Sequence, residues 1–488
     1  MQPVRVLRLE SCSVPAKSAQ LVCRAQSNLP TKRRQHTQHV PRRRLHSTFH
    51  QENALILPVA TPSPVIATAS EAPSHVMTTA APLGNLPLSQ VIRTWLITSI
   101  SSNPALMNAS TKTLQAMLSS QNPLFDLERN PLMRAVLMET FYKQFCVGSN
   151  KEEITRNVAA VQQQGYGGVI LEYALEVLAD AKSDEAADIA KWRQAMLDTV
   201  DITAPGSYFA FKWSGLGPAA MRRMKNEEEP SKAMAEAMHA VTQAAVAKDV
   251  ALLPAAEETW TLNGFHKWSL DLMREYNRKG KAVVFSTYQA YLKQNTDHLA
   301  RHMEMARAEN FTLGVKLVRG AYLHSEKRDL IWPTIEATHH AYDTVTSALI
   351  HRQYNDLVRP SGKDTTFPDV ELVVASHNAA TVQKAQSWRQ AQVTRGEKLT
   401  PLVYVQLQGM ADEVSATLVA NAKANEGKAD AVQERVYKYC NWGTMKECLN
   451  YLIRRAAENK DAAGRTNDTR LAMQSELMRR FKAGVGFS

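Results

Sequence analysis

Cysteine is scarce in this chain: there are five in 488 residues, and no two form a C-x-x-C pair. Cys12 and Cys23 fall in a basic leader, which leaves Cys146, Cys440 and Cys448, an odd number. Such spacing fits neither a disulfide framework nor a zinc site, and reduced thiols are the expectation. Long apolar runs are missing too, since no segment approaches the roughly 18 consecutive apolar residues of a membrane span. Residues 55–68 come nearest, and Pro58, Pro62 and Pro64 interrupt them. Any membrane contact is therefore expected to be peripheral, and a secretory signal lacks its apolar core.

Acid is nearly absent from one region. The first fifty residues hold ten Lys and Arg against a single acid, Glu10, and so carry +9 of the net +11. The remaining +2 is spread over a long body, which gives no electrostatic footprint for a nucleic-acid backbone. No nucleic-acid partner is expected. An Arg-rich, Ser-containing, acid-poor leader has the composition of a mitochondrial transit peptide. Arg42-Arg43-Arg44-Leu45-His46-Ser47 would be its processing region, although a basic arm binding RNA or an acidic surface has the same composition. Residues 1–50 are accordingly read as a transit peptide. Residues 51–88, rich in Ala, Pro, Thr and Ser, are read as a flexible linker.

The rest divides by texture. Residues 89–204 read as an N-terminal helical region, with three-to-four apolar spacing over 89–101 and 131–146. GVILEYALEVLADA, 168–181, is read as a helix, and 182–200 as a charged one. From 205 to 488 short β-rich runs alternate with longer helical ones. The runs are 207–213, 250–254, 282–287, 313–318, 371–375, 402–407 and 435–439. Apolar, non-alternating strands between helices indicate a parallel sheet covered by helices. Seven strands are visible, and the eighth would be irregular. An open doubly wound sheet fits the alternation nearly as well. The polar residues tip the balance: Lys212, Glu257, Gln289, Arg319, His377, Gln408 and Tyr439 all sit at or just past a strand's C-terminal end. Those ends share one mouth in a (βα)8 barrel, whereas an open sheet would hold most of them apart. The expected fold is α/β, a (βα)8 TIM-like barrel.

Several segments carry chemistry, each with a plain structural alternative. TLGVKLVRGAYL, Thr312–Leu323, joins a strand to a sharp exit at Gly320-Ala321, which suits close approach of a phosphate or ring system. A snorkelling Lys and Arg beside a turn reads the same residues equally well. On the helix around Tyr451–Asn459, Tyr451, Arg454, Arg455 and Glu458 share one face. That face is either solvated or a carboxylate clamp, because adjacent guanidiniums fork onto a carboxylate in a geometry lysine does not reproduce. Gly215, Gly217 and Ala220 spell the looser dinucleotide fingerprint, but the acid expected further on is missing, so a Gly-rich loop fits better. Ser376-His377-Asn378 directly follows a strand. His339-His340 lack a third ligand, and no metal is expected.

Together these segments resemble the proline dehydrogenase family. The strand motif is matched by Lys316–Tyr322 and the helix motif Y-L-x-R-R-x-x-E-N by Tyr451–Asn459. TYQAYL, SHN, QLQGM and YKYCNWG fall in the family's order, and the similarity spans about 205–485. The helical region before it looks like that of fungal-type mitochondrial members. The resemblance implies an FAD-dependent enzyme that oxidises L-proline to Δ1-pyrroline-5-carboxylate and passes electrons to ubiquinone at the inner mitochondrial membrane. It implies that Arg454 and Arg455, with Lys212, bind the carboxylate, while Leu407, Tyr439 and Tyr451 wall the ring. Gln289, Lys316, Arg319, Gly320, Ala321, Tyr322, Ser376, His377, Asn378 and Glu458 would hold the cofactor, with Lys316 and Lys212 as the catalytic cations. The sequence departs from the family at Ala255, where the family usually has Asp. Three rivals remain: a flavin barrel acting on hydroxyproline or another substrate, a nicotinamide enzyme using Gly215–Ala220, and a basic binding protein. The stretch Arg470–Phe487 reads as a helix closing the barrel or lying on a membrane surface.

Overall fold

The structure is a computed structural model that describes residues 81–119, 122, 130–174, 184–458 and 463–486, with the side chains of 119, 455–458 and 463–465 outside the description. The transit-peptide reading of 1–50 and the linker through residue 80 lie outside the described residues.

Among the described residues nine strands form one sheet, and every named pairing is parallel. They are β1 (Cys146–Gly148), β2 (Gly168–Tyr173), β3 (Tyr208–Phe211), β4 (Ala251–Pro254), β5 (Ser286–Gln289), β6 (Leu313–Val318), β7 (Val370–Ala375), β8 (Leu402–Leu407) and β9 (Arg435–Trp442). The order β4-β3-β2-β9-β8-β7-β6-β5 winds eight of them round, and β1 adds to β9 from outside that path. The ends nearly close. Leu252 N–H donates to Val283 O at 2.7 Å and Phe285 N–H to Leu252 O at 2.9 Å, which joins β4 to the approach of β5. With helices between successive strands, this is the expected (βα)8 barrel.

Alternation sorts each strand into an inward and an outward set. Ile170, Tyr208, Leu253, Phe285, Val373, Val403 and Tyr437 form one buried cluster that fills the barrel. Phe209, Leu252, Leu317, Leu372 and Tyr404 belong to the larger cluster under the helices, with Trp192, Leu270 and Tyr342. Both faces are apolar, which is why these strands show no polar alternation in sequence.

One expectation fails over residues 168–173, while its remainder, 175–181, lies outside the described residues. Residues 168–173 are not helix: they form β2, between β9 and β3, with Ile170 opposite Tyr439 and Tyr208. The barrel therefore begins well before residue 205, and β2 is the strand that seemed irregular. The cause is burial on both sides. GVILEY is apolar at nearly every position, and a doubly buried strand and a buried helix then look alike. The helix at 185–202 and those at 88–101 and 131–137 are present.

The helix Ala463–Gly484 touches the barrel helix Asp412–Asn425, whose Ala416 is buried with Met473. It packs along Leu88–Ser101, where Met473, Leu83, Leu86 and Val91 are buried together. Arg480 ties the pair by donating to the carbonyls of Leu83 and Leu86 at 3.0 and 2.8 Å. Among the described residues no helix is long and apolar enough to cross a membrane.

Candidate active site

The C-terminal ends of the strands meet at one mouth, and the side chains there form connected networks. On β5, inward-facing Gln289 is 2% exposed; its Nε2 donates to Glu257 O at 2.9 Å and its Oε1 accepts from Ala321 N–H at 3.1 Å. It thereby fixes the loops after β4 and β6 against each other. Lys212, just past β3, donates to the Tyr322 hydroxyl at 2.9 Å, which itself donates to Ala256 O at 2.8 Å. Glu257 is buried and accepts from Ser214 N–H at 3.1 Å. Burial pushes its carboxyl pKa up, partly opposed by Lys212.

Lys212, Ser214, Glu257 and Tyr322 line a cavity of about 190 Å³ that also receives Glu172, Tyr451 and Arg454. Its volume suits a small amino acid. Tyr451 comes from the helix Met445–Glu458, is 5% exposed, and donates to Glu172 Oε2 at 3.4 Å. The Arg454 guanidinium stands 5.7 Å from the Tyr451 ring centre. A lysine, a guanidinium and a phenol wall thus meet around one small space, as the carboxylate-clamp reading requires. Arg455 and Glu458 lie outside the described side chains.

Deeper on the axis, Lys316 is 5% exposed and its ammonium sits 4.7 Å from the Tyr439 ring centre, a cation–π contact inside the barrel. Tyr439 and Leu407 are direct partners of β9 and β8. Arg319, at the exit of β6, donates to His339 Nδ1 at 2.9 Å, Ser376 Oγ at 2.7 Å and Thr381 Oγ1 at 2.8 Å, and lies over the Tyr342 ring at 4.3 Å. His377 Nε2 accepts from Leu407 N–H at 3.1 Å, so a neutral His377 carries its proton on Nδ1. Asn378 caps the helix Ala379–Thr394 by accepting from Thr381 N–H at 3.0 Å.

Two local readings change. Gly320 is small because a Cβ there would lie 2.5 Å from the ring of Tyr291, so the ring packed on it is the protein's own rather than a ligand's. Gly215 and Gly217 face the helix Glu185–Ile202: a Cβ on either would strike Trp192 or Asp188. Gly217 also has φ +104°, and the following helix begins at Pro218. Those glycines serve packing and a turn, as a Gly-rich loop at the mouth would, and not a dinucleotide cradle.

Glu172 was missed. It is 5% exposed at the C-terminal end of β2, and reading that segment as helix hid it. A lone acid inside the run GVILEY was the available signal. Tyr322, expected beside a cofactor, lines the small cavity.

The row of polar groups Lys316, His377 and Asn378 at the ends of β6 and β7 fits a flavin nucleotide, whose ring carries carbonyls and whose phosphates are anionic. Ala321 N–H is committed to Gln289, and the Arg319 nitrogens to His339, Ser376 and Thr381. These two therefore hold the loops that would frame the cofactor.

The profile of a family described as "Proline dehydrogenase" matches residues 154–468. "Proline dehydrogenase 1, mitochondrial" of Caenorhabditis elegans is 31% identical over 314 residues, which cover 62% of this chain and 47% of that protein. "Hydroxyproline dehydrogenase" of Rattus norvegicus is 28% identical over 411 residues, covering 72% of this chain and 83% of that protein. The chain spans about half the length of the first of these relatives. The crystal structure of proline utilization A (PutA) from Bdellovibrio bacteriovorus inactivated by N-propargylglycine superimposes with a TM-score of 0.55 at 16% identity, over 74% of this chain and 38% of that one, a likeness of fold. With the family profile enclosing every described residue of the mouth, from Glu172 to Arg454, the chain belongs to the proline dehydrogenase family.

Proposed function

We propose that this protein is an FAD-dependent enzyme that oxidises L-proline to Δ1-pyrroline-5-carboxylate in the mitochondrion and delivers the electrons to ubiquinone. The observation that carries this reading is the convergence of Lys212, Tyr451 and Arg454 on a cavity of about 190 Å³ at the barrel mouth. Relatives named as mitochondrial proline dehydrogenases and the Arg-rich, acid-poor leader support the location. Peripheral contact with the inner membrane belongs to the same reading.

The flavin, when bound, supplies a two-electron acceptor for the hydride leaving the substrate carbon. The chain's part is orientation and electrostatics. Arg454, with Arg455 beside it in sequence, and Lys212 bind the carboxylate by charge-assisted hydrogen bonds and so fix the ring's position. Tyr439, Tyr451 and Leu407 wall that ring. Lys316 places a positive charge on the barrel axis, where it would favour the electron-rich reduced state of a bound flavin. Lys316, His377 and Asn378 would hold the cofactor, framed by Gln289, Ser376 and the loop Arg319, Gly320 and Ala321, and Glu458 is assigned to it by the helix motif alone. Substrate with its nitrogen deprotonated loses hydride more readily, so the rate is expected to rise with pH.

A second reading, oxidation of hydroxyproline, is favoured by the hydroxyproline dehydrogenase match, which covers most of that relative's length. The Tyr439 phenol argues for proline, because a bulky wall leaves less room for a ring hydroxyl. Steady-state kcat/KM for L-proline and for 4-hydroxyproline, on one preparation, decides. A larger value for hydroxyproline would overturn the proposed substrate.

A further inference from the structure

Glu172 is an acid where the fold itself has little use for one. It lies on β2 two residues after Ile170, which fills the barrel, so alternation turns it inward at the strand's C-terminal end. The strand around it is apolar, with Ile170 and Leu171 fully buried. Glu172 is 5% exposed and lines the cavity of about 190 Å³ at the mouth. Among the described residues it has one hydrogen bond, from the Tyr451 hydroxyl to Oε2 at 3.4 Å, and no ion pair. A carboxylate taken out of water and left with one long hydrogen bond is costly unless something in the cavity pairs with it. The other acids there are engaged. Glu257 accepts from Ser214 N–H at 3.1 Å and stands against Lys212, and Glu258 accepts from Trp260 Nε1 at 2.9 Å.

The position of this carboxylate beside the guanidinium is fixed. β2 and the helix Met445–Glu458 are joined twice: Tyr173, next to Glu172, donates to Glu447 Oε1 at 2.9 Å, and Tyr451 donates to Glu172 itself. Tyr451 and Arg454 stand three residues apart on that helix and share a face. The Tyr451 ring therefore has the Arg454 guanidinium 5.7 Å from its centre and the Glu172 carboxylate at its hydroxyl. A cation and an anion flank one ring, in a space sized for an amino acid. An amino acid brings the matching pair of charges, because its nitrogen is bonded to the carbon that bears its carboxylate.

Resting on the proline-oxidising reading above, we propose that Glu172 binds the ring ammonium of the substrate while Arg454 and Lys212 hold its carboxylate, and so selects a zwitterionic cyclic amino acid over a simple cyclic acid. A charge-assisted bond from the ammonium N–H reaches Oε1, the Glu172 oxygen that Tyr451 leaves open. With both charged groups held, the ring keeps one position in the cavity. The ammonium gives its extra proton to water before hydride leaves the ring. Glu172 opposes that loss, and so helps to set the pH at which bound substrate becomes reactive.

The test uses the full-length holoenzyme and two ligands: L-proline, and cyclopentanecarboxylate, whose ring has no nitrogen. The L-proline Kd is read from the concentration dependence of anaerobic flavin bleaching, and the cyclopentanecarboxylate Kd from titration calorimetry. Glu172→Gln keeps an acceptor for Tyr451 and removes the charge. It is expected to raise the L-proline Kd about tenfold or more, and to leave the cyclopentanecarboxylate Kd unchanged or lower. Glu172→Asp is expected to recover part of the L-proline affinity. At saturating L-proline, the rise of the bleaching rate with pH is expected to come at lower pH in Glu172→Gln, because no carboxylate then holds the amine proton. An unchanged L-proline Kd overturns the assignment. Equal weakening of both ligands also overturns it and makes Glu172 a structural residue. If the wild type binds L-proline without bleaching, proline oxidation falls, and the same two-ligand comparison by calorimetry still decides Glu172. If L-proline bleaches the wild type and Glu172→Gln alike at every concentration, the assignment falls and proline oxidation stands.

Discussion

Arg454 reaches the small cavity from the helix after β9, and Lys212 reaches it from the end of β3. Neither is spare, because Lys212 also holds Tyr322 and Arg454 stands over Tyr451. Arg454→Met is expected to lower kcat/KM for L-proline about a hundredfold, or about 3 kcal/mol, with no loss of thermal stability. An unchanged KM would place the carboxylate elsewhere. Ala255 is buried close to Lys212, its N–H bonded to Phe211 O at 2.6 Å. Ala255→Asp should restore a carboxylate near that lysine and raise kcat/KM; no change or a loss would show that the position serves another purpose. The rate should climb between about pH 6 and about pH 9 as the substrate amine deprotonates, and a flat profile counts against it. Most of these positions were legible in the sequence, because polar residues at strand exits stand out from apolar runs. Glu172 was not, and neither was the role of Gly320, whose need for smallness comes from Tyr291, well earlier in the chain.

Two buried polar clusters hold elements together away from the mouth. Lys438 on β9 donates to Asp412 at 2.7 Å and to Ser415 at 2.7 Å, with Lys438 4% and Asp412 1% exposed. Burial pulls the Lys438 pKa down, but the Asp412 carboxylate together with Tyr166 and Cys440 outweighs it, and the pKa is raised. Lys438→Met leaves Asp412 buried and unpaired and should cost about 3–5 kcal/mol in denaturant unfolding, part of it recovered by adding Asp412→Asn. A loss under about 1 kcal/mol would mean that water reaches the site. Between the helices Leu262–Tyr276 and Asn295–Ala308, His266, His298 and His302 pack with ring centres 4.9 to 6.1 Å apart. Burial holds all three pKa values down, His298 to about 4 and His302 to about 3, with neighbouring cations adding to the effect. The unfolded chain, with histidines near 6.5, binds more protons, so stability falls as the pH drops from about 6.5 toward those values. A Tm equal at pH 7 and pH 5 would contradict this. At this scale the sequence was legible wherever a helix met solvent on one face. It was illegible at β2, where burial on both faces erased the period.

For the whole molecule, the closed parallel sheet does the essential placing. It brings Glu172, Lys212, Glu257 and Arg454, spread over most of the described chain, to one cavity, and it sets Lys316 and Tyr439 on the axis beneath. Barrel and mouth were readable from seven strands and their polar exits. The alternation alone did not separate open from closed sheets; the polar exits chose the closed one, and hydrogen bonds such as Leu252 to Val283 bear it out. The near-neutral body leaves recognition to local charges within the mouth. The most direct test of the central claim is an anaerobic absorbance spectrum of the purified protein before and after L-proline. The account predicts a yellow protein that bleaches with L-proline, while Arg454→Met stays yellow at the same proline concentration. A colourless protein, or a yellow one that L-proline does not bleach, would contradict it.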